Sequence, residues 1–206
     1  MARAGLMKTG ILLSGGLDSI ALCYWKRPEV AFTIDYGQLA AAGEIEAAKV
    51  VSRKLKIRHE IIRADCSSVG VGQLCSKVGR TRLAVKPPTP EWWPFRNQLL
   101  ITLAATKAVT IGIRKLLIGS VATDRVHLDG TPQFVECMRD LLGLQEGRLS
   151  LLAPAINISS VELIRRSGIP LAILGWAHSC HTGNYACGVC RGCIKNQQVW
   201  EEIDHK

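Results

Sequence analysis

The hexapeptide Ser14-Gly15-Gly16-Leu17-Asp18-Ser19 ends one apolar run, residues 10–13, and opens another, residues 20–25. That order reads as a strand, a tight turn and a helix. Glycines let such a turn bring its backbone close to an oxygen ligand. The helix that follows offers unpaired N–H groups and a partial positive charge. Ser14 and Ser19 add hydroxyl donors. Asp18 would repel a bare phosphate, so it suits a magnesium ion or a backbone cap. The lysine of a Walker loop is missing, which argues against a grip on the β- and γ-phosphates. A loop that instead holds pyrophosphate as a leaving group lets a substrate attack the α-phosphate and form an acyl-adenylate or similar AMP ester. A lone glycine pair would be better read as an empty turn; the full string after an apolar strand is far more specific.

A second constellation lies near the other end. Cys180, Cys187, Cys190 and Cys193 fall within 14 residues, spaced x6, x2 and x2, with Gly188 and Gly192 allowing tight knuckle turns. Four thiolates suit tetrahedral zinc and leave no open position, so such an ion is structural. An iron–sulfur cluster uses the same ligands. Cys23, Cys66, Cys75 and Cys137 are scattered, and no secretion signal is evident, so the cysteines read as metal ligands rather than a disulfide framework. His178 and His181 flank the first cysteine and are expected at the surface or facing substrate, not as ligands.

Elements must position these groups. Apolar runs at 10–13, 30–34, 59–62, 115–118 and 149–152 read as strands. Residues 38–54 have helical spacing, and residues 97–111 are apolar enough to predict a buried helix. Strands alternating with helices imply an α/β fold with a mostly parallel sheet, and ligands gather at the carboxyl ends of such strands. The second strand ends in Asp35-Tyr36-Gly37-Gln38, which would lie beside the first loop and contact nucleotide or substrate. Residues 63–95 hold seven of the chain's glycines and prolines together with Trp92 and Trp93, and read as a long irregular segment with a functional or mobile role. Residues 1–177 are expected to form the α/β domain, and residues 178–206 a metal-stapled appendix packed on it and ending in a short helix.

Composition sets outer limits. A chain of 206 residues with 48% hydrophobic content and a mean hydropathy of +0.15 can build one real core, and no apolar stretch is long enough to span a bilayer. The basic N-terminal stretch, residues 1–10, lacks the long apolar run of a signal peptide, so a cytoplasmic location is expected. The net charge of +9 fits an anionic ligand. Aromatic residues are not interleaved with the basic ones, so nucleic acid is not required.

The string SGGLDS matches the signature of PP-loop ATP pyrophosphatases. SGGLDS, then DYGQ, then PFRN, then the four-cysteine run together resemble the 7-cyano-7-deazaguanine synthase family, in family order over about residues 8–203. The resemblance implies a Rossmann-like fold of the adenine nucleotide alpha hydrolase type, with helices on both faces of a parallel sheet and a C-terminal zinc knuckle. It implies ATP, Mg2+ and Zn2+. Ser14, Gly15, Gly16, Leu17, Asp18 and Ser19 would bind nucleotide, together with Asp35, Tyr36, Gln38, Arg96, Asn97 and Gly119. Asp18, Arg96 and Asp124 would serve catalysis, and His127, Asp129 and Phe134 would meet the substrate. Cys180, Cys187, Cys190 and Cys193 would bind the metal. The reaction implied is activation of the carboxylate of 7-carboxy-7-deazaguanine by ATP, amidation by ammonia and dehydration to the nitrile. A homodimer is usual for the family. Two departures touch the substrate side: Thr131 stands where the family has an arginine, and Ser160 where it has a lysine. A divergent relative joining the activated deazapurine to a protein amine, as in antiviral defence, is the alternative this raises. Ser159 and Glu162 nevertheless form a capping box for the helix there.

Overall fold

A computed structural model describes residues 8–75, 84–124 and 126–204. The basic N-terminal stretch up to residue 7 and residues 76–83 of the irregular segment lie outside the described residues, as do residues 205 and 206 at the end of the C-terminal appendix.

Five strands form one parallel sheet: β1 (Thr9–Leu12), β2 (Val30–Asp35), β3 (Arg58–Arg63), β4 (Lys115–Leu117) and β5 (Ser150–Leu152), in the order β3-β2-β1-β4-β5. The strands stand where the apolar runs place them: inner strands covered on both faces need apolar side chains on both, while β3 at the sheet edge carries Arg58, His59 and Glu60 and has no buried residue. Side chains alternate across the sheet with period two. Ile11, Ala31 and Leu117 point into one half of the core, while Phe32, Ile34, Leu116 and Leu151 point into the other.

The first half of the core is closed by α1 (Leu17–Lys26), α2 (Ala41–Leu55) and α5 (Ser160–Ser167), with α6 (Leu171–Leu174) and α7 (Arg191–Asp204) beside them. The second half is closed by α3 (Arg96–Thr110) and α4 (Pro132–Leu144). The fold is thus α/β and Rossmann-like, with helices on both faces. Because the chain leaves β1 toward β2 on one side and reaches β4 on the other, the crevice between β1 and β4 at their carboxyl ends is the switch point where ligands bind in such sheets.

Three helices differ from the sequence expectation. The apolar segment 97–111 is not buried all round. Ile101, Ala104, Ala105 and Ala108 form one buried stripe, while Thr102, Thr106 and Thr110 face solvent. Their hydroxyls donate to the carbonyls of Gln98, Thr102 and Lys107, which lets threonine sit on an exposed helix face. The helix α4 was not anticipated; Thr131 caps it by accepting from the Phe134 N–H, and Pro132 opens it. The C-terminal helix is not short: α7 runs 14 residues and places Val199 in the core against α5. By contrast, Ser159 caps α5 through the Glu162 N–H at 3.1 Å, as its sequence suggests.

Candidate active site

Ser14 to Ser19 run from the end of β1 into α1. Gly15 takes a φ of +80°, and a Cβ there would lie 2.6 Å from the Glu44 carbonyl oxygen, so the turn needs glycine twice over. Ser19 Oγ donates to the Gly16 carbonyl at 2.9 Å and lies 3.2 Å from Ser14 Oγ, which holds the loop in one shape. Gly16 is the N-cap of α1 and supplies no side-chain cap. The first N–H groups of α1 therefore remain available to an anion. Leu17 turns its side chain into the core and can contribute only backbone. Gly119, after β4, brings that strand's exit against α1: a Cβ there would come within 3.1 Å of the Ser19 backbone.

Ser14, Gly16, Leu17, Asp18, Ser19 and Gly119 border a cavity of about 350 Å³ at the switch point, while Gly15 makes the turn without lining it. Arg96 and Asn97 reach it from the start of α3, and Asp124 and His127 from the segment after β4. Four charged lining residues were not anticipated from sequence: Glu44, Glu91, Arg191 and Lys195.

Lys195 is the most consequential of these. Its ammonium donates to Asp18 Oδ2 at 2.9 Å and to Asp124 Oδ1 at 3.1 Å, joining the phosphate loop, the exit of β4 and the C-terminal helix. Burial pushes the Asp18 carboxyl above its usual range, the Lys195 charge opposes this, and Asp124 adds to it. Asp18 Oδ1 and the Ser160 hydroxyl are both buried with no well-aligned hydrogen bond among the described residues, and Ser160 stands close enough to favour the Asp18 carboxylate. A carboxylate oxygen so weakly satisfied, bordering the cavity, is the group here that could meet a ligand-borne divalent cation such as Mg2+.

The Asp35-Tyr36-Gly37-Gln38 stretch acts one step back from the cavity. Asp35, Tyr36 and Gln38 are not among its lining residues. Gln38 is buried; its amide oxygen accepts from the Tyr36 N–H, while its NH2 donates to the Ile34 carbonyl and, at 2.7 Å, to Glu44 Oε2. Tyr36 meets Trp93 edge-on with ring centroids 4.9 Å apart. This stretch therefore positions Glu44, whose carboxyl burial pushes up to about 7.

Two of the expected substrate residues are engaged elsewhere. Asp129 accepts from the Asn97 N–H at 3.1 Å, and the Asn97 side-chain NH2 donates to the Asp129 carbonyl at 2.9 Å. Asp129 thus ties down the start of α3, and it does not line the cavity. Phe134 packs against the second half of the core. The acid that does face the cavity on this side is Glu91, which is 4% exposed and lies 3.4 Å from an Arg191 guanidinium nitrogen. It comes from the irregular segment 63–95, whose described parts are pinned by buried Leu74, Cys75, Thr89 and Trp93.

The four cysteines come together. The Sγ atoms of Cys180, Cys187, Cys190 and Cys193 all lie within 4.8 Å of one another, a cluster that could hold a metal ion. The Cys190 and Cys193 N–H groups point at the preceding cysteine sulfurs at 3.3 and 3.4 Å, and the His181 N–H points at Cys190 Sγ, a donor set that favours thiolates. The knuckle adjoins the phosphate loop directly, since the His178 N–H donates to the Gly15 carbonyl at 2.8 Å. His178 and His181 line the cavity, and neither belongs to the sulfur cluster. Among the described residues, no helix is long and apolar enough to cross a membrane.

The chain is similar to known proteins over nearly its whole length. The family profile described as Queuosine biosynthesis protein QueC matches residues 8–204. A 7-cyano-7-deazaguanine synthase of Nitrosospira multiformis is 31% identical over 97% of this chain and 93% of its own length. One from Desulforudis audaxviator is 32% identical, covering 94% of this chain and 96% of the relative. One from Nostoc punctiforme is 31% identical over 96% of both.

Proposed function

The chain belongs to the queuosine biosynthesis protein QueC family, and from that premise we propose that it is an ATP-dependent ligase that converts 7-carboxy-7-deazaguanine to 7-cyano-7-deazaguanine. The observation that carries this reading is the uncapped start of α1, open to a cavity at the sheet's switch point. An ATP pyrophosphate group would sit on the α1 N–H groups with the Ser14 and Ser19 hydroxyls. The substrate carboxylate then attacks the α-phosphorus; its oxygen forms the new bond, and the old P–O bond breaks with its electron pair on pyrophosphate. Arg96, entering from α3, stabilises the charge that develops in that step.

A guanine-like ring presents N–H donors, so it needs a fixed acceptor. With Asp129 committed to α3, Glu91 serves that purpose, oriented by Arg191. Glu44, with its carboxyl brought to about 7, takes the proton released as ammonia attacks the acyl-adenylate and AMP leaves. A second ATP adenylates the amide oxygen with release of pyrophosphate; the carbon–oxygen bond then breaks with that oxygen leaving on AMP, and the nitrogen gives up both of its protons to form the nitrile. The four thiolates hold a structural zinc ion that supports the knuckle and takes no part in the chemistry. Residues 178–206 work as part of the same unit as the sheet domain.

A second reading has one observation in its favour. Thr131, where the family has an arginine, is used as a helix cap and offers no cation to the substrate. Activation would then end in an amide to a different amine, such as one on a protein.

The test is mass spectrometry of purified protein with ATP, Mg2+, 7-carboxy-7-deazaguanine and ammonium. Nitrile, AMP and pyrophosphate are expected. Amide without nitrile selects the second reading, and absence of substrate-dependent pyrophosphate overturns both.

A further inference from the structure

Ser160 sits at the start of α5, buried beside the Asp18 carboxyl, where its neutral hydroxyl favours the carboxylate without making a well-aligned hydrogen bond. No charge reaches Asp18 from that side. The charge arrives instead from Lys195, on the second turn of α7 and 177 residues away in sequence. Among the described residues it is the one ammonium or guanidinium ion-paired with Asp18 or Asp124. Arg191 is paired with Glu91 instead.

The electrostatics of the loop demand such a cation. Two carboxylates beside the α1 N-terminus would repel an incoming polyphosphate, and a charge in a partly desolvated cleft is screened less than one in water. Lys195 halves that negative charge and leaves an ammonium bordering the cavity. The side chain is still 35% exposed, so it is free to exchange a carboxylate partner for a phosphate oxygen. Its placement also gives the cysteine cluster a role in the reaction. Lys195 lies two residues past Cys193, so the fold of the knuckle sets where the ammonium stands.

We propose that Lys195 is a phosphate-contacting residue of this site, delivered by the metal knuckle's helix to the place that a side chain from position 160 could otherwise reach, where it takes up negative charge on the departing pyrophosphate. This rests on the nucleotide reading above.

The test starts from ATP binding by calorimetry, without deazaguanine substrate, on wild type, Lys195→Met, and Lys195→Met combined with Ser160→Lys. Metal content and melting curves are recorded for each. The proposal expects Lys195→Met to keep its metal and fold while losing at least tenfold in ATP affinity. The added Ser160→Lys should recover a measurable part of that loss. ATP affinity within twofold of wild type in Lys195→Met overturns the proposal alone. Wild type that binds no ATP overturns the nucleotide reading and this proposal together. A second measurement needs no variant: amine-labelling of the wild-type protein, mapped by mass spectrometry, should show Lys195 protected by ATP and by inorganic pyrophosphate. Labelling of Lys195 unchanged by saturating ATP overturns the assignment.

Discussion

Glu44 offers a quantitative test of how the loop region is built. Its carboxyl is set into the cavity wall, receives one hydrogen bond at 2.7 Å from Gln38, and is pushed up to about 7 by burial, against the opposing effects of Gln38 and Arg96. In the unfolded chain a glutamate ionises near 4.3. Below that pH both states hold the proton and the group adds no pH dependence. Between the two values the unfolded state has lost the proton and the folded state has kept it, so stability falls as pH rises. Above pH 7 the full difference applies. The gap of roughly 2.7 between those two values corresponds to about 4 kcal/mol. That is an upper figure, because the carboxyl faces a cavity that water can enter.

Glu44→Gln removes the titration and keeps an oxygen that can accept from Gln38. Urea denaturation of wild type and Glu44→Gln at pH 5, 6, 7 and 8 measures the difference directly. The variant should gain on wild type by up to about 2–3 kcal/mol between pH 5 and 8, the rest of the change falling below pH 5. A difference constant to within about 0.5 kcal/mol across that range would refute the argument that burial governs this carboxyl.

Three other perturbations probe neighbouring parts of the site. Cys193→Ser should abolish stoichiometric metal, read by elemental analysis, while the sheet core remains folded by circular dichroism, because the metal cluster lies apart from both halves of the core. Gly119→Ala forces a methyl to within 3.1 Å of the Ser19 backbone; it should cost about 1–3 kcal/mol of stability and weaken ATP binding, and unchanged ATP affinity would show that the loop tolerates the shift. Asp129→Ala removes the acceptor for the Asn97 N–H and should cost about 1 kcal/mol in thermal or urea unfolding, whereas a variant of wild-type stability would return Asp129 to the list of substrate contacts.

What could be read in advance follows the range of the forces involved. The inner strands are legible because they carry apolar runs with buried side chains, whereas β3, an edge strand with Arg58, His59 and Glu60 and no buried residue, is marked only by Ile61 and Ile62. The phosphate loop and the cysteine cluster are legible because their chemistry is local: consecutive residues make the turn, and closely spaced thiolates make the site. The helix α4 was hidden because its buried residues Val135, Met138 and Leu142 are separated by charged positions, and its start is marked only by the Thr131-Pro132 pair. The segment 97–111 misled in the other direction. Threonine and alanine make a stretch read as apolar, yet threonine can stand on a solvent face when its hydroxyl turns back to the helix.

The same distinction explains which site residues were missed. Asp129 looks like a base-reading acid because its neighbours suggest one; only the fold shows that it is spent on the start of α3. Lys195 looks like an ordinary residue of a polar helix, since nothing in its surroundings marks it. Its meaning comes from two partners, 177 and 71 positions away, that the sheet's switch point gathers around one cavity. The departure at Ser160 reads from sequence as a lost cation beside the phosphate loop. In three dimensions a cation is still there, carried by the segment that the cysteines staple down. Nothing local to position 160 points to position 195. The positive charge between the Asp18 and Asp124 carboxylates is supplied across elements and is visible only once the elements are packed.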